Sequence, residues 1–111
     1  MTVEEAVRES LATAPGAILI SAGAGRAGEA VQQMRAADAE FVLLLIDSPV
    51  PALDRAMLIG AIAPLAIHLA PHTRIGAIDV AAGADPDAVA AAARFLAAAG
   101  STTGQILTVA G

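Results

Sequence analysis

The stretch AILISAGAGRAGEAV, Ala17 to Val31, decides how the chain folds. A short apolar run passes into Gly23-x-Gly25-x-x-Gly28 and then into a helix-forming segment. Further on, FVLLLID is a second apolar run that closes on Asp47. Strand, glycine turn, helix, strand and terminal acid is the layout of a dinucleotide-binding unit. There the glycines let backbone approach a pyrophosphate, and the acid takes a ribose hydroxyl. Gly23, Gly25, Gly28 and Asp47 are therefore candidate contacts for NAD or NADP. The same glycines also suit an ordinary strand-to-helix turn. In a chain this rich in glycine and alanine, one GxGxxG is a weak signal.

Composition narrows the choice. A chain of 111 residues is one small domain, with no room for separate cofactor and substrate domains. Apolar residues make up 57%, but 30 of them are alanines, so the core has to rest on Ile, Leu and Val. The net charge is −5, lysine is absent and the six basic residues are all arginine. With no basic stripe and only Phe41 and Phe95 available to stack on a base, nucleic acid is not an expected partner. Without cysteine there is no disulfide, no thiolate nucleophile and no cysteine-based metal site. The acidic start MTVEEAVRES is unlike a signal region, and AMLIGAIAPLAIHLA is interrupted by Pro64 and short for a membrane span. A soluble cytoplasmic domain with no membrane partner is the expectation.

Thr2-x-x-Glu5 reads as a capping box opening a helix to about Thr13, where Pro15-Gly16 breaks it. AILIS is a short strand, Ala27–Ala37 a helix, and EFVLLLID a strand covered on both faces. After a rigid turn from Asp47 to Pro51, a helix runs from about Leu53 to Ala70, with Pro64 predicting a kink or break. TRIGAIDV is the third strand. Asp85 caps a helix that begins at Pro86 and runs to Ala99, and Gly100 is placed to end it. QILTVA closes the chain as a fourth strand. The pattern predicts a single α/β domain over 1–111, a three-layer α/β/α half-Rossmann with about four parallel strands and helices on both faces.

The last third resembles the short-chain dehydrogenase/reductase family. LIGAIAPLAIHLAPHTRIGAIDV is similar to that family's helix-plus-strand pattern LxxLxxxLAxELAPxxIRVNAIxPG. Phe95-Leu96-Ala97 and Thr103-Gly104-Gln105-x-Leu107-x-Val109 match its closing FLA and TGQxLxV in order and spacing. The first half is similar more loosely: Ile20-Ser21-Ala22-Gly23 stands for the family's Asn-Asn-Ala-Gly, and Ser48 falls where its catalytic serine sits. The resemblance is to the C-terminal half of the fold, its fourth to seventh strands, as in a truncated member. It implies strands that are sheet neighbours joined by ordinary crossovers. It also makes Gly23, Gly25 and Gly28 a strand-to-helix turn, with the family's own cofactor loop missing.

The chemistry that the resemblance implies is not carried by these residues. The family's Tyr-x-x-x-Lys pair falls on Pro51 and Arg55, and the sequence has neither tyrosine nor lysine at any other register. Its Pro-Gly turn at the nicotinamide is replaced by Asp79-Val80-Ala81, and its substrate lid is cut to AGAD. No catalytic residue is expected. Ser48 beside Asp47 makes no triad alone, and His68 and His72 read as helix-end histidines, so a hydrolase ranks last. Asp79, Asp85, Asp87 and His72 lack a dense ligand spacing, so no metal is expected. Asp79, a carboxylate at a strand's C-terminal end, is the best remaining small-molecule candidate. The leading expectation is a non-catalytic domain acting by association, as a homodimer or in a complex with a full-length dehydrogenase. Its uncharged AILIS edge is one surface expected to associate, and the resemblance adds the Leu53–Ala70 helix and the last helix-strand unit, which build the oligomer in full-length relatives.

Overall fold

In the computed structural model every residue except Ala24 is described, and the alternation of elements is as the sequence predicts. Helices α1 (Val3–Leu11), α2 (Ala27–Ala36), α3 (Ala52–Leu69) and α4 (Pro86–Ala98) alternate with strands β1 (Ala17–Ser21), β2 (Phe41–Ile46), β3 (Arg74–Val80) and β4 (Gln105–Val109). The strands form one parallel sheet in the order β1-β2-β3-β4, with Ser21 opposite Leu45, Ile46 opposite Asp79 and Val80 opposite Val109. All six residues of β2 are buried, which is why FVLLLI shows no polar alternation.

Side-chain alternation sends β2 into two cores. Val42, Leu44 and Ile46 pack with Met34 of α2 and Leu58 and Ile62 of α3. Phe41, Leu43 and Leu45 pack with Val7 and Leu11 of α1 and Val89, Ala93 and Leu96 of α4. Each step from β1 to β4 moves one place in the same direction across the sheet, so crossovers of one hand would put α2, α3 and α4 on one face. Instead α4 lies opposite the other two, and the β3–α4–β4 connection is of the reverse hand. The expected ordinary crossovers therefore hold for two connections and fail for the third. About 98% of such connections share one hand, so this exception needs a reason. It lies in the second core: with α4 on the α2–α3 side, Phe41, Leu43, Leu45, Ile78 and Val80 would have only the nine residues of α1 to cover them.

Local chemistry explains most boundaries. Thr2 caps α1 reciprocally with Glu5, but the helix ends at Leu11, two residues before the expected Thr13. Asp85 Oδ1 accepts from the Asp87 N–H at 3.0 Å, with Pro86 at the first helical position. Pro64 does not break α3, which runs unbroken from Ala52 to Leu69. The bond it cannot donate would fall to Gly60, and both residues are on the exposed side, where water takes the freed carbonyl.

Gly100 follows the last turn of α4 but does not adopt the left-handed conformation of a terminating glycine. The last carbonyls of α4 are instead gathered by Arg74 of β3, which donates to Leu96, Ala97 and Ala99 at 3.3, 3.0 and 2.9 Å, with Thr102 also donating to Ala99. Its guanidinium lies 4.7 Å from the centre of the Phe41 ring. A cation at the negative end of a helix and over an aromatic face is favourable on both counts. Arg74 thus fastens the reverse-handed helix to the sheet.

Arg74→Met should lower unfolding stability by about 2 kcal/mol in urea titrations and speed amide exchange in the last turn of α4. At the other end of the second core, the Thr2 backbone N–H and then its hydroxyl hold the Glu5 carboxyl below the usual glutamate range. A carboxyl lowered on folding stabilises fully above its unfolded pKa and ceases to do so as pH falls through the folded one. Helical chemical shifts in α1 should therefore weaken on acidification through that window, and this acid response should be absent in Glu5→Gln.

Candidate functional site

The candidate residues gather at the C-terminal rim of the sheet, where open α/β sheets place ligands. β1 leads into the glycine turn and β2 into Asp47, and because these strands are paired the turn and the acid share one rim. Of the three glycines only Gly25 needs to be one, with φ +73°. Gly28 lies in the first turn of α2 with open space where a Cβ would be. A Cβ on Gly23 would stop 3.4 Å from the Arg26 side chain. Ala24 lies outside the described residues.

Several polar groups at this rim are engaged within the chain. The Gly25 N–H donates at 2.7 Å to Oδ2 of Asp54, in the first turn of α3. A carboxylate of the chain itself thus sits on an amide that a pyrophosphate oxygen would need. Asp47 Oδ1 accepts from the Ser48 N–H at 2.7 Å and closes its own turn. A cavity of about 220 Å³ remains between α1 and the start of α2, walled by Glu4, Ser21, Gly23, Arg26, Glu29 and Gln33. Its wall carries two carboxylates and one guanidinium.

The centre of the rim is a fork. Arg55 reaches under the turn after β2, where it pairs with Asp79 of β3 and donates to the carbonyls of Asp47 at 2.6 Å, Ile46 at 3.2 Å and Val50 at 3.4 Å. Both charged side chains are about four-fifths buried, with 19% of Arg55 and 22% of Asp79 exposed. Asp79, singled out in the sequence as a carboxylate for a small molecule, is an internal counter-ion.

Ser48 and the histidines are not brought together. Ser48 is exposed at this rim, while His68 ends α3 and His72 precedes β3, both at the opposite end of the sheet. From Ala52 at the start of α3 to His68 the helix rises about 24 Å, beyond any hydrogen bond. Among the described residues there is no group of three acidic or histidine side chains that could hold a metal ion.

Residues 5–109 match a family of SDR-like proteins, described as short chain dehydrogenase-like protein. The chain belongs to this family. No curated protein matches it. In this SDR-like chain the positions that resemble the tyrosine and lysine of dehydrogenases are taken over by the scaffold. Pro51 is the cap of α3, and Arg55, four residues on, is the fork just described.

Sequence reasoning found the rim but missed Asp54 and the internal use of Arg55 and Asp79. The signal was present: charges in elements that are otherwise apolar have to be paired when they are buried.

Arg55→Met should cost about 3 kcal/mol of stability, because it strands a largely buried carboxylate. Asp79→Asn should cost less, and Arg55→Met with Asp79→Asn should cost less than the two single changes summed. A double-mutant cycle by chemical denaturation should give a coupling of about 1–3 kcal/mol.

Proposed function

We propose that this SDR-like chain is a non-catalytic, soluble cytoplasmic domain that acts by self-association through the outer face of α3. A helix that is apolar all round is normally buried all round. α3 buries only Leu58, Ile62, Leu65 and Ala66 against the sheet. Its length and composition would suffice to cross a membrane, but this inner side is a cover for the sheet. Its two acid and base side chains near the start, Asp54 and Arg55, turn inward to Gly25 and Asp79. The outer stripe of Leu53, Met57, Gly60, Pro64 and Ile67 carries no charge, and its three large members are 73%, 53% and 80% exposed.

The observation that carries this reading is Gly60. A glycine inside a helix costs about 1 kcal/mol relative to alanine. Nothing lies within 4 Å of the place its Cβ would occupy, so the single chain gains nothing from it. Gly60 is also the midpoint of the stripe. A second copy laid antiparallel about this point sets Gly60 on Gly60 of the partner and Leu53 against Ile67. Backbones then approach closely at the centre while large side chains close the ends, an isologous contact. Beside the stripe, an apolar groove of about 470 Å³ between Ala63, Ile67 and Gly104 gives the partner's end residues a seat.

The non-catalytic part rests on Pro51 and Arg55, which supply no proton donor, and on an Asp54 carboxylate standing on the Gly25 amide. The competing reading is a nucleotide site at Gly23, Gly25, Gly28 and Asp47 that takes NAD or NADP. It would have to displace Asp54 from that amide. A complex with a full-length dehydrogenase would use the same α3 face.

Light scattering across a dilution series should give a mass of two or more chains, unchanged by NADH. Gly60→Ala should raise the stability of the dilute chain by about 0.5–1 kcal/mol and weaken association several-fold, while Gly60→Leu should abolish this contact. A wild-type monomer, or Gly60 variants with the wild-type mass, would overturn the α3 contact. A mass that responds to NADH would restore the cofactor reading.

A further inference from the structure

We infer that the open edge of β1 pairs antiparallel with β1 of a second copy of this chain, centred on Leu19. This contact is separate from the α3 face and does not depend on it. β1 ends the strand order and pairs with β2 alone. The phase of that pairing is fixed by the Phe41 N–H donating to Gly16 at 3.2 Å and the Ala22 N–H donating to Leu45 at 3.0 Å. Even-numbered residues therefore face β2, and Ala17, Leu19 and Ser21 direct their backbone groups outward. The Ala17 N–H is taken by Ala14 at 3.3 Å. Among the described residues, the N–H groups of Leu19 and Ser21 and the carbonyls of Ala17, Leu19 and Ser21 are left on the edge.

The sequence of the strand fits its own reverse. Read about Leu19, Ala-Ile-Leu-Ile-Ser runs small, Ile, Leu, Ile, small in either direction. In the antiparallel pair Leu19 exchanges both of its bonds with Leu19 of the partner, and each Ser21 N–H donates to the opposite Ala17 carbonyl. Every free outward N–H is then used, and the strands overlap along their whole length. Side chains agree with the backbone. Ile18, 39% exposed in one chain, comes beside Ile20 of the partner on the α2 side. The two Leu19 side chains meet on the α1 side, where a groove of about 390 Å³ lies between Arg8, Leu11, Ala12 and the strand.

Edges that must stay single carry a charge, a proline or a bulge. β1 has none of these: it holds no charged residue or proline, and its register with β2 is uninterrupted. A strand of another protein could use the same amides, but only a second copy meets the mirrored Ile-Leu-Ile row with an identical one.

The test uses proton exchange and mass together, on the full chain. In the wild type the Leu19 and Ser21 amides should exchange at least ~100-fold more slowly than open ones, as expected for ladder hydrogen bonds. Gly60→Leu removes the α3 contact, so this variant should run as a dimer with both amides still protected. Adding Ile18→Lys should reduce it to a monomer and free both amides, while Ile20, which faces β2, stays protected. Ser21→Pro removes only an outward N–H, so it is a second block that leaves the β1–β2 ladder whole. Open-rate exchange at Leu19 and Ser21, a monomeric Gly60→Leu chain, or protection that survives in a monomer would each overturn the β1 contact. A Gly60→Leu chain of wild-type mass, with both amides protected, would leave this contact standing and sink the α3 one.

Discussion

A single guanidinium holds the rim of this fold together. A parallel sheet directs the last carbonyls of its strands and the first amides of its helices to the same end, and each must find a partner. Arg55 answers several of these needs at once, bonding three carbonyls of the turn after β2 and the carboxylate that closes β3. Next to it Asp54 meets the amide of the glycine turn after β1. Two consecutive residues at the start of α3 therefore tie together the ends of β1, β2 and β3. At Gly25 and at Asp79, the groups that could have met a ligand meet the chain's own side chains.

That economy bears on function. In an open α/β sheet the rim is where unpaired backbone and charge recognise small molecules. Here apolar surface and strand backbone also lie open away from the rim, on the outer side of α3 and along the outer edge of β1.

The architecture was legible because it rests on local patterns. The six apolar residues of β2, the Thr2–Glu5 box and Asp85 before Pro86 each announce an element within a few positions. What was hidden depends on distant partners. The end of α4 reads as a glycine stop at Gly100, but Arg74, 22 or more residues away in sequence, does that work. Asp79 reads as a ligand because nothing near it in sequence reveals that Arg55, 24 residues earlier, will face it. The reverse hand of the last crossover is likewise invisible, since helix α4 is amphipathic whichever face it covers. The glycines read as a strand-to-helix turn, but the partner of the Gly25 amide comes from a different helix.

The reversed crossover also shapes the order in which the domain can assemble. The core of α2 and α3 is built from neighbouring segments, each helix lying between the strands it covers. The opposite core joins α1, at the beginning of the chain, to α4, near its end, and these two helices pack against each other. Closing a loop of that span carries an entropic cost that short crossovers avoid. The α2–α3 layer can thus gather as a local nucleus, with the α1–α4 layer locking on afterwards. Loosening either end of the chain would then uncover the same face of β2, so the two termini behave as one clasp.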